Sequence, residues 1–393
     1  MSTDPKILII IEAEIATTHL IDQIMNACVS HGVHYRTQFL DRLRVSDIAP
    51  DTIPLFIRCA DPLVLSWTQA LVHAGRPYAY YIDDNFWRIE GHSPLAAYYR
   101  HPLVRATLKF AVSHAQSVIT NSVELTKFLR RFNDRVEVLP TFFDFSLIEN
   151  VRPSVMDEVR IGFAGSASRV DDLELIARLI DPILEKYPKA AFEFAGVLPR
   201  SVGIRERVRF FPHISDYKSY IKFQAERSWA IGLAPLLDHE ANRSKTDNKY
   251  REYGACHIAG IYSDMPPYSS VVKHSVTGIL VKNDSSSWFE ALVSLVGRQD
   301  KRAAIADAAF KHVKARYDVT HVSYEWAEFF KRLADDKAQN VRPLDQNGLD
   351  AKRFWRRLER IRLLIAVTYE EGGLPLVIRR ALRKIIAIRR RAV

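Results

Sequence analysis

The feature that most constrains this chain is a train of short apolar runs, each ending at a polar turn and each followed by helical periodicity, and the train occurs twice. In the first train KILIIIEA, IPLFIRC, PYAYYIDDN, SVITNS and RVEVLP read as strands. THLIDQIMNACVSHGV, DPLVLSWTQALVHAGR, LAAYYRHPLVRATLKFAVSHA and VELTKFLRRF read as the helices between them. Continuous apolar runs of this length suit strands of a parallel sheet covered on both faces. The segment FFDFSLIENVRPSVMDE breaks the train with Pro153 and a polar stretch, which places a linker near residues 145 to 157. The second train then supplies VRIGFAG, AAFEFAGV, WAIGLAPLL and AGIYSD as strands. Its helices are VDDLELIARLIDPILEKYP, SDYKSYIKFQAERS, NKYREYGACH and SSSWFEALVSLVGR. The fold class is α/β, with two Rossmann-like doubly wound domains over residues 1–150 and 155–335. Segment 318 to 334 is expected to return to the amino-terminal domain. Two such domains in tandem face a cleft, with ligands at the carboxyl ends of the strands.

The formal net charge of +10 resembles a nucleic-acid signal until it is located. Residues 351–393 hold thirteen Lys or Arg and three Glu, which is the whole excess, so the preceding 350 residues are neutral. The basicity belongs to a C-terminal tail, expected as a helix over 345–393. In it Leu374, Val377, Ile378, Ala381, Ile385 and Ile388 form one helical stripe, with Arg379, Arg380, Arg383 and Lys384 opposite. A basic amphipathic helix suits an anionic membrane surface; packing against an acidic protein surface is the alternative. Phe354 and Trp355 are grouped at its start, and few other aromatics are available to stack on bases, so no nucleic-acid partner is expected. Cys28, Cys59 and Cys256 are widely spaced, which gives neither a disulfide framework nor a zinc spacing and fits a reducing compartment. The apolar run before Glu12 and Glu14 is too short for a signal-peptide core, and no stretch approaches the roughly 18 apolar residues of a membrane span. The expected location is cytoplasmic, peripheral at the inner membrane face.

The segment Asn242 to Tyr253, NRSKTDNKYREY, follows the apolar run WAIGLAPLL. Ser244 is placed to act as N-cap with Asp247 three residues on. Lys245, Lys249 and Glu252 then stand at i, i+4 and i+7 on one helical face, where the first turn favours an anion and Glu252 is placed to accept from sugar hydroxyls. A solvated face of i,i+4 and i,i+3 ion pairs accounts for the same spacing.

The runs RIGFAGSASRVDDL, AFEFAGVLP and IGLAPLLDHEANRSKTDNKYREYGACHIAGIYSDMPPYSSVVKHSVTGILVKND, with the closing SSSWFEAL, resemble the donor-binding half of GT-B glycosyltransferases of family four, in the branch that builds bacterial surface polysaccharides. FIRCADPLVLSW, PYAYYIDDNFW and VEVLPTFFD resemble the acceptor half, so the resemblance covers roughly residues 5 to 330. It implies a retaining hexosyl- or deoxyhexosyltransferase using a nucleotide-diphosphate sugar, with no obligatory cofactor or metal, acting on a glycan or lipid-linked glycan in O-antigen or capsule synthesis. Gly165 and Ser166 would bring backbone N–H groups to the donor phosphate. Lys245, with Arg243 and Lys249, would neutralise the departing diphosphate, and Glu252 matches the second glutamate of the family's two-glutamate motif, the ribose contact. Ser244 stands where the first glutamate is expected, a departure that bears on the donor sugar.

In the amino half the resemblance makes Asp83 and Asp84 catalytic candidates, near where many relatives carry an active-site histidine. A carboxylate there could orient or deprotonate the acceptor hydroxyl, or stabilise an oxocarbenium-like centre. Adjacent carboxylates also bind metal in the other glycosyltransferase fold, a role set aside here because the basic cluster supplies phosphate charge. Arg58, Thr17 and Thr18 are the acceptor-side candidates, Arg58 being equally suited to pairing with either aspartate. His101, His114 and His213 lack ligand spacing and read as structural. Two alternatives share the two-domain layout: a non-catalytic sugar-nucleotide-binding assembly subunit, and a sugar-nucleotide epimerase or glycogen-type phosphorylase.

Overall fold

The computed structural model describes residues 4–391 apart from 90, 92, 153, 155, 156 and 337–340, with side chains as far as 379 apart from 377. The chain forms two compact units, one of Met1–Leu139 with Trp326–Val393 and one of Pro140–Glu325. Each is built on a parallel six-stranded sheet with α-helices between most successive strands.

The first sheet contains β1 (Lys6–Ile11), β2 (His34–Phe39), β3 (Thr52–Ile57), β4 (Ala79–Tyr81), β5 (Ser117–Thr120) and β6 (Val136–Val138), in the order β2-β1-β3-β4-β5-β6. The interior strands β1, β3, β4 and β5 are mostly apolar and buried along almost their whole length. The order reverses between β1 and β3, which puts the topological switch point of this unit at the ends of those two strands. The helix Pro62–His73 starts where Asp61 accepts a hydrogen bond from the Leu63 N–H and Pro62 takes the first helical position.

The second sheet contains β7 (Val159–Ala164), β8 (Ala190–Ala195), β9 (Val208–Phe211), β10 (Ile231–Ala234), β11 (Ala259–Ser263) and β12 (Ile279–Val281), in the order β12-β11-β10-β7-β8-β9. Its reversal falls between β7 and β10. There Gly162, Gly232 and Gly260 lie side by side on β7, β10 and β11. A β-carbon at these positions would stand 1.8 Å from Trp229, 2.7 Å from Tyr253 and 2.0 Å from Tyr262 respectively. The glycine row is therefore what lets three large, fully buried aromatics lie flat against the sheet. Phe143 and Leu147, around the start of the segment read from sequence as a linker, are buried in this unit's core.

The expected basic tail is the helix Gln346–Arg391, interrupted by non-helical backbone at Gly372 and Gly373. Its first half is part of the first unit rather than a free extension. Leu349, Leu363 and Val367 are buried with Leu63, Val64 and Trp67. Arg360 pairs with Asp61 at 2.5 Å, and the Arg353 guanidinium lies 5.2 Å from the centre of the Trp67 ring. The same Asp61 thus caps one helix and anchors another. Leu374, Ile378 and Arg379 are exposed; the remaining stripe and basic residues named above have side chains outside the described residues. Among the described residues no helix is long and apolar enough to cross a membrane.

Candidate functional site

In the first unit the switch point gathers residues far apart in sequence. Arg58 directly follows β3, Asp83 and Asp84 follow β4 closely, and Thr17 lies on the helix Ala16–Cys28 that leaves β1. One Arg58 amino group (Nη1) donates to Asp83 Oδ1 at 2.6 Å and to Thr17 Oγ1 at 3.2 Å, and the other (Nη2) lies 3.1 Å from Asp84 Oδ2. Thr17 donates to Asp83 Oδ2 at 2.9 Å. Arg58 also lies over the Phe86 ring, 4.9 Å from its centre, and adopts the left-handed backbone conformation, φ +52°. Such a conformation in a non-glycine residue is strained and persists only where its surroundings hold it.

Asp83 keeps 13% of its side-chain surface and Asp84 48%. Burial carries the Asp83 carboxyl up to about 6; Arg58 opposes this and the neighbouring Asp84 adds to it. Thr18, the weaker acceptor-side candidate, spends its hydroxyl on the helix start, donating to Ile15 O at 2.9 Å and accepting from the Ile15 N–H at 2.8 Å. Among the described residues no group of three His, Cys, Asp or Glu side chains comes together as a metal site.

In the second unit the loops after β7 and β10 flank the switch point. Gly165 donates its N–H to Ala195 O at 3.0 Å, and Gly196, at φ +83°, sits so close that a β-carbon on it would stand 2.3 Å from the Gly165 carbonyl oxygen. Ser166 opens the turn that follows. The loop after β10 is organised by Asp172, which is buried: it accepts from the Leu237 N–H at 2.7 Å and from Asn242 Nδ2 at 3.2 Å, and pairs with Arg169 at 3.0 Å. Arg169 in turn donates to Pro235 O at 3.2 Å. Sequence reading did not select Asp172 or Arg169, although both stand in the GSASRVDD run directly after β7.

The expected single helix beginning at Ser244 is two helices, Glu240–Arg243 and Asn248–Ala255. His239 caps the first by accepting from the Asn242 N–H, and Asn242 is held at 2.9 Å to Leu237 O, so the chain turns before it re-enters helix at Asn248. Ser244 is buried and donates to Glu240 O at 2.9 Å; it is the C-cap of the first helix and not the N-cap of the second. Arg243 belongs to the first helix and pairs with Asp238 at 2.5 Å, while Lys245 lies between the two. Of the expected stripe, only Lys249 and Glu252 share a helix.

Those two residues form the core of the donor-side candidate. Lys249 Nζ donates to Glu252 Oε2 at 2.8 Å and to the Tyr220 hydroxyl at 2.9 Å, and lies over the Tyr220 and Tyr253 rings. The Tyr220 hydroxyl lies 2.9 Å from the same Glu252 oxygen and 2.8 Å from Gln224 Oε1. Glu252 is buried, yet both of its side-chain bonds end on Oε2, and Oε1 accepts none among the described residues. Immediately before Glu252, the buried Arg251 donates to Thr141 Oγ1 and to Asn248 Oδ1, fixing the helix start. Tyr220 and Arg251 were absent from the sequence-based set: Tyr220 lies 32 residues from Glu252, and Arg251 reads as one more charge in a charged run.

No family model matches the chain, and no curated protein does. Among solved structures it is similar to HepE of Anabaena in complex with UDP, with a TM-score of 0.61 and 14% identity over 83% of this chain and 100% of that one. It is also similar to sucrose-phosphate synthase from Thermosynechococcus elongatus (TM-score 0.61, 12% identity, 85% of this chain and 100% of that one). A glycosyltransferase from Rickettsia africae aligns with a TM-score of 0.56 and 12% identity over 85% of this chain and 100% of that one. At these identities the likeness is one of fold, and the fold is that of the GT-B glycosyltransferases.

Proposed function

We propose that the protein is a glycosyltransferase that moves a hexosyl or deoxyhexosyl group from a nucleotide-diphosphate donor to a hydroxyl of a glycan or lipid-linked glycan, with retention, in the synthesis of a bacterial surface polysaccharide such as O-antigen or capsule. The observation that carries the reading is Glu252. A buried carboxylate with one oxygen anchored by Lys249 and Tyr220 and the other unspent suits a ribose diol, which presents two donors to an acceptor whose position is already set. The solved structures of HepE with UDP and with UDP-glucose have the same fold, which supports a nucleotide-sugar donor here.

In this reading the Gly165–Ser166 turn approaches the phosphates through its backbone. Lys245, Lys249 and Arg243 offset the charge that develops on the leaving diphosphate, without an obligatory metal. Asp83, at about 6, is ionised at neutral pH while remaining basic enough to orient or accept the proton of an acceptor hydroxyl. Thr17 and Arg58 hold its two oxygens. The basic C-terminal segment meets an anionic membrane surface, where a lipid-linked acceptor would be found, and the expected site of action is the cytoplasmic side of the inner membrane.

Thermal-shift titration with UDP, GDP, dTDP, ADP and CMP tests the donor assignment. A ligand at a hundred times its Kd adds about 2.7 kcal/mol of stability. Glu252→Gln should lower affinity for the stabilising nucleotide at least tenfold; unchanged affinity refutes the ribose role.

A second reading, a non-catalytic sugar-nucleotide-binding subunit, is favoured by one observation: the hydroxyl of Ser244, at the position of the expected first glutamate, is committed to Glu240 O. Turnover separates the two. A transferase releases nucleoside diphosphate in the presence of acceptor and loses that activity with Lys245→Ala and with Asp83→Ala. A binding subunit shows no turnover in any variant.

A further inference from the structure

The first half of the helix Gln346–Arg391 carries two apolar faces, and only one of them is packed. Leu349, Leu363 and Val367 are buried in the core of the first unit. On the opposite side Phe354, Leu358, Ile361, Ile365 and Tyr369 follow at intervals of four, three, four and four residues, which keeps them on one stripe about 22 Å long. These five residues are 58%, 38%, 53%, 49% and 60% exposed, and Trp355, at the edge of the stripe, is 65% exposed. Single exposed apolar residues need no explanation, but a contiguous stripe of six, three of them aromatic, marks a surface that something covers.

The charges beside it say what. Along this half of the helix Arg353 pairs with Asp350 at 3.4 Å, Arg356 with Glu359 at 2.6 Å and Arg360 with Asp61 at 2.5 Å. Arg357 and Arg362, which by helical position border the stripe on its two sides, have no acidic partner among the described residues, and both are exposed. Arg353, one turn before Arg357, also lines a cavity of about 570 Å³ in which Arg42 and Arg44 stand beside Asp41 and Asp47, so among the described residues the unpaired cations of this face are Arg357 and Arg362 themselves. Two copies of this face in a symmetric dimer would bring like charges together at the rim. An anionic surface with an apolar interior satisfies both features, since Trp and Tyr favour the bilayer interface and arginines reach its phosphates.

We infer that this outward face, Phe354 to Tyr369, is a docking surface for an anionic lipid bilayer. The inference rests on the membrane element of the reading above, and relocates it from the Leu374–Ile388 stripe to the helix half that packs against the first unit through Leu349, Leu363 and Val367. With the face laid on the bilayer, Trp355, Ile361 and Ile365 enter the headgroup boundary while Arg357 and Arg362 contact phosphate.

Co-sedimentation of the full chain with phosphatidylcholine–phosphatidylglycerol vesicles, against phosphatidylcholine alone, tests it. Binding is expected to the anionic vesicles only and to weaken with salt. Trp355→Ser with Ile361→Ser should lower it at least tenfold, as should Phe354→Ser with Ile365→Ser, and Arg357→Ser with Arg362→Ser should lower it more than tenfold. Leu374→Ser with Ile378→Ser should change it less than twofold. Unchanged thermal midpoints show that the variants are folded. Three results overturn the proposal: failure of the wild-type chain to bind anionic vesicles; binding that survives the Trp355/Ile361 change but is lost with Leu374/Ile378; or a wild-type dimer that the same stripe variants dissolve. Nucleotide titration of the same samples reads the donor assignment separately, so that either idea can fail alone.

Discussion

Arg58→Met isolates the charge arrangement at the first switch point. The side chain is 20% exposed and its partner Asp83 13%, so the pair is close to buried. Removing one partner of a buried pair costs about 3–5 kcal/mol. The Asp84 contact, half in solvent, adds under about 1 kcal/mol, and the stacking on Phe86 contributes about 0.5–1 kcal/mol. Residual exposure places the total near the lower end, about 3 kcal/mol. Methionine occupies the same left-handed backbone position, so strain there is unchanged and does not enter the difference.

The pH dependence gives this prediction its edge. A raised carboxyl pKa means that the fold holds a proton which the unfolded chain, near 3.9, releases; the stability this gives is present below that value and is lost as pH rises through about 6. Without Arg58 the Asp83 pKa rises further, at about 1.4 kcal/mol per unit, so the added penalty opens between pH 6 and 8. Urea unfolding followed by tryptophan fluorescence should show a loss of about 3 kcal/mol at pH 8 and about 1 kcal/mol at pH 5, read on the transition of the first unit because a chain of two units need not unfold in one step. Equal losses at the two pH values would refute the argument.

Turnover should fall with an apparent pKa near 6 as pH drops, and the residual turnover of Asp83→Asn should lack that limb; a limb that persists in the variant assigns it to another group. Gly196→Ala should cost about 3 kcal/mol, since both its positive φ and the Gly165 carbonyl 2.3 Å away oppose a β-carbon, and it should weaken nucleotide binding through the displaced turn. Leu363→Ala, on the packed face of the C-terminal helix, should cost about 3 kcal/mol, whereas Ile361→Ala, two residues earlier on the outward face, should change stability by less than about 0.5 kcal/mol; thermal unfolding of the pair measures the difference between the faces.

What could be read from the sequence follows from where information is local. β1, β3, β4, β7, β8, β10 and β11 are legible because strands covered on both faces are predominantly apolar, even where β7 and β8 each carry one buried charged residue, Arg160 and Glu193. β2, β9 and β12 are not: HYRTQF and VRFF are half-exposed at sheet edges, and ILV is three residues long. The helix Gln299–Tyr317 lacks a clean apolar stripe and was not singled out either. The tail shows the limit of a stripe read in isolation. Leu374 to Ile388 has the better helical pattern on paper, but Leu349, Leu363 and Val367 pack against the first unit, a fact that depends on Leu63 and Trp67 nearly three hundred residues away.

At the two candidate sites the same limit takes an electrostatic form. Residues that follow strand ends, such as Gly165, Arg58 and Asp83, could be picked out because in parallel sheets function collects at those ends. Pairing could not. A count of Arg243, Lys245 and Lys249 suggests an unneutralised basic face, whereas Arg243 is set against Asp238 and Lys249 against Glu252, just as Arg169 is set against Asp172 and Arg58 against Asp83. The two switch points are therefore nearly neutral, in keeping with the neutrality of residues 1–350, and their cations are positioned before any ligand arrives. An anion entering such a site gains less from bulk attraction than a bare cluster would offer, but it meets donors whose orientation has already been fixed by their carboxylate partners. On that physics Lys249 and Glu252 act as one unit, so their single substitutions should not add: once Glu252→Gln has released the lysine, Lys249→Met should cost less nucleotide affinity than it does alone, and losses that add strictly in a double-mutant cycle would show that the two side chains act independently.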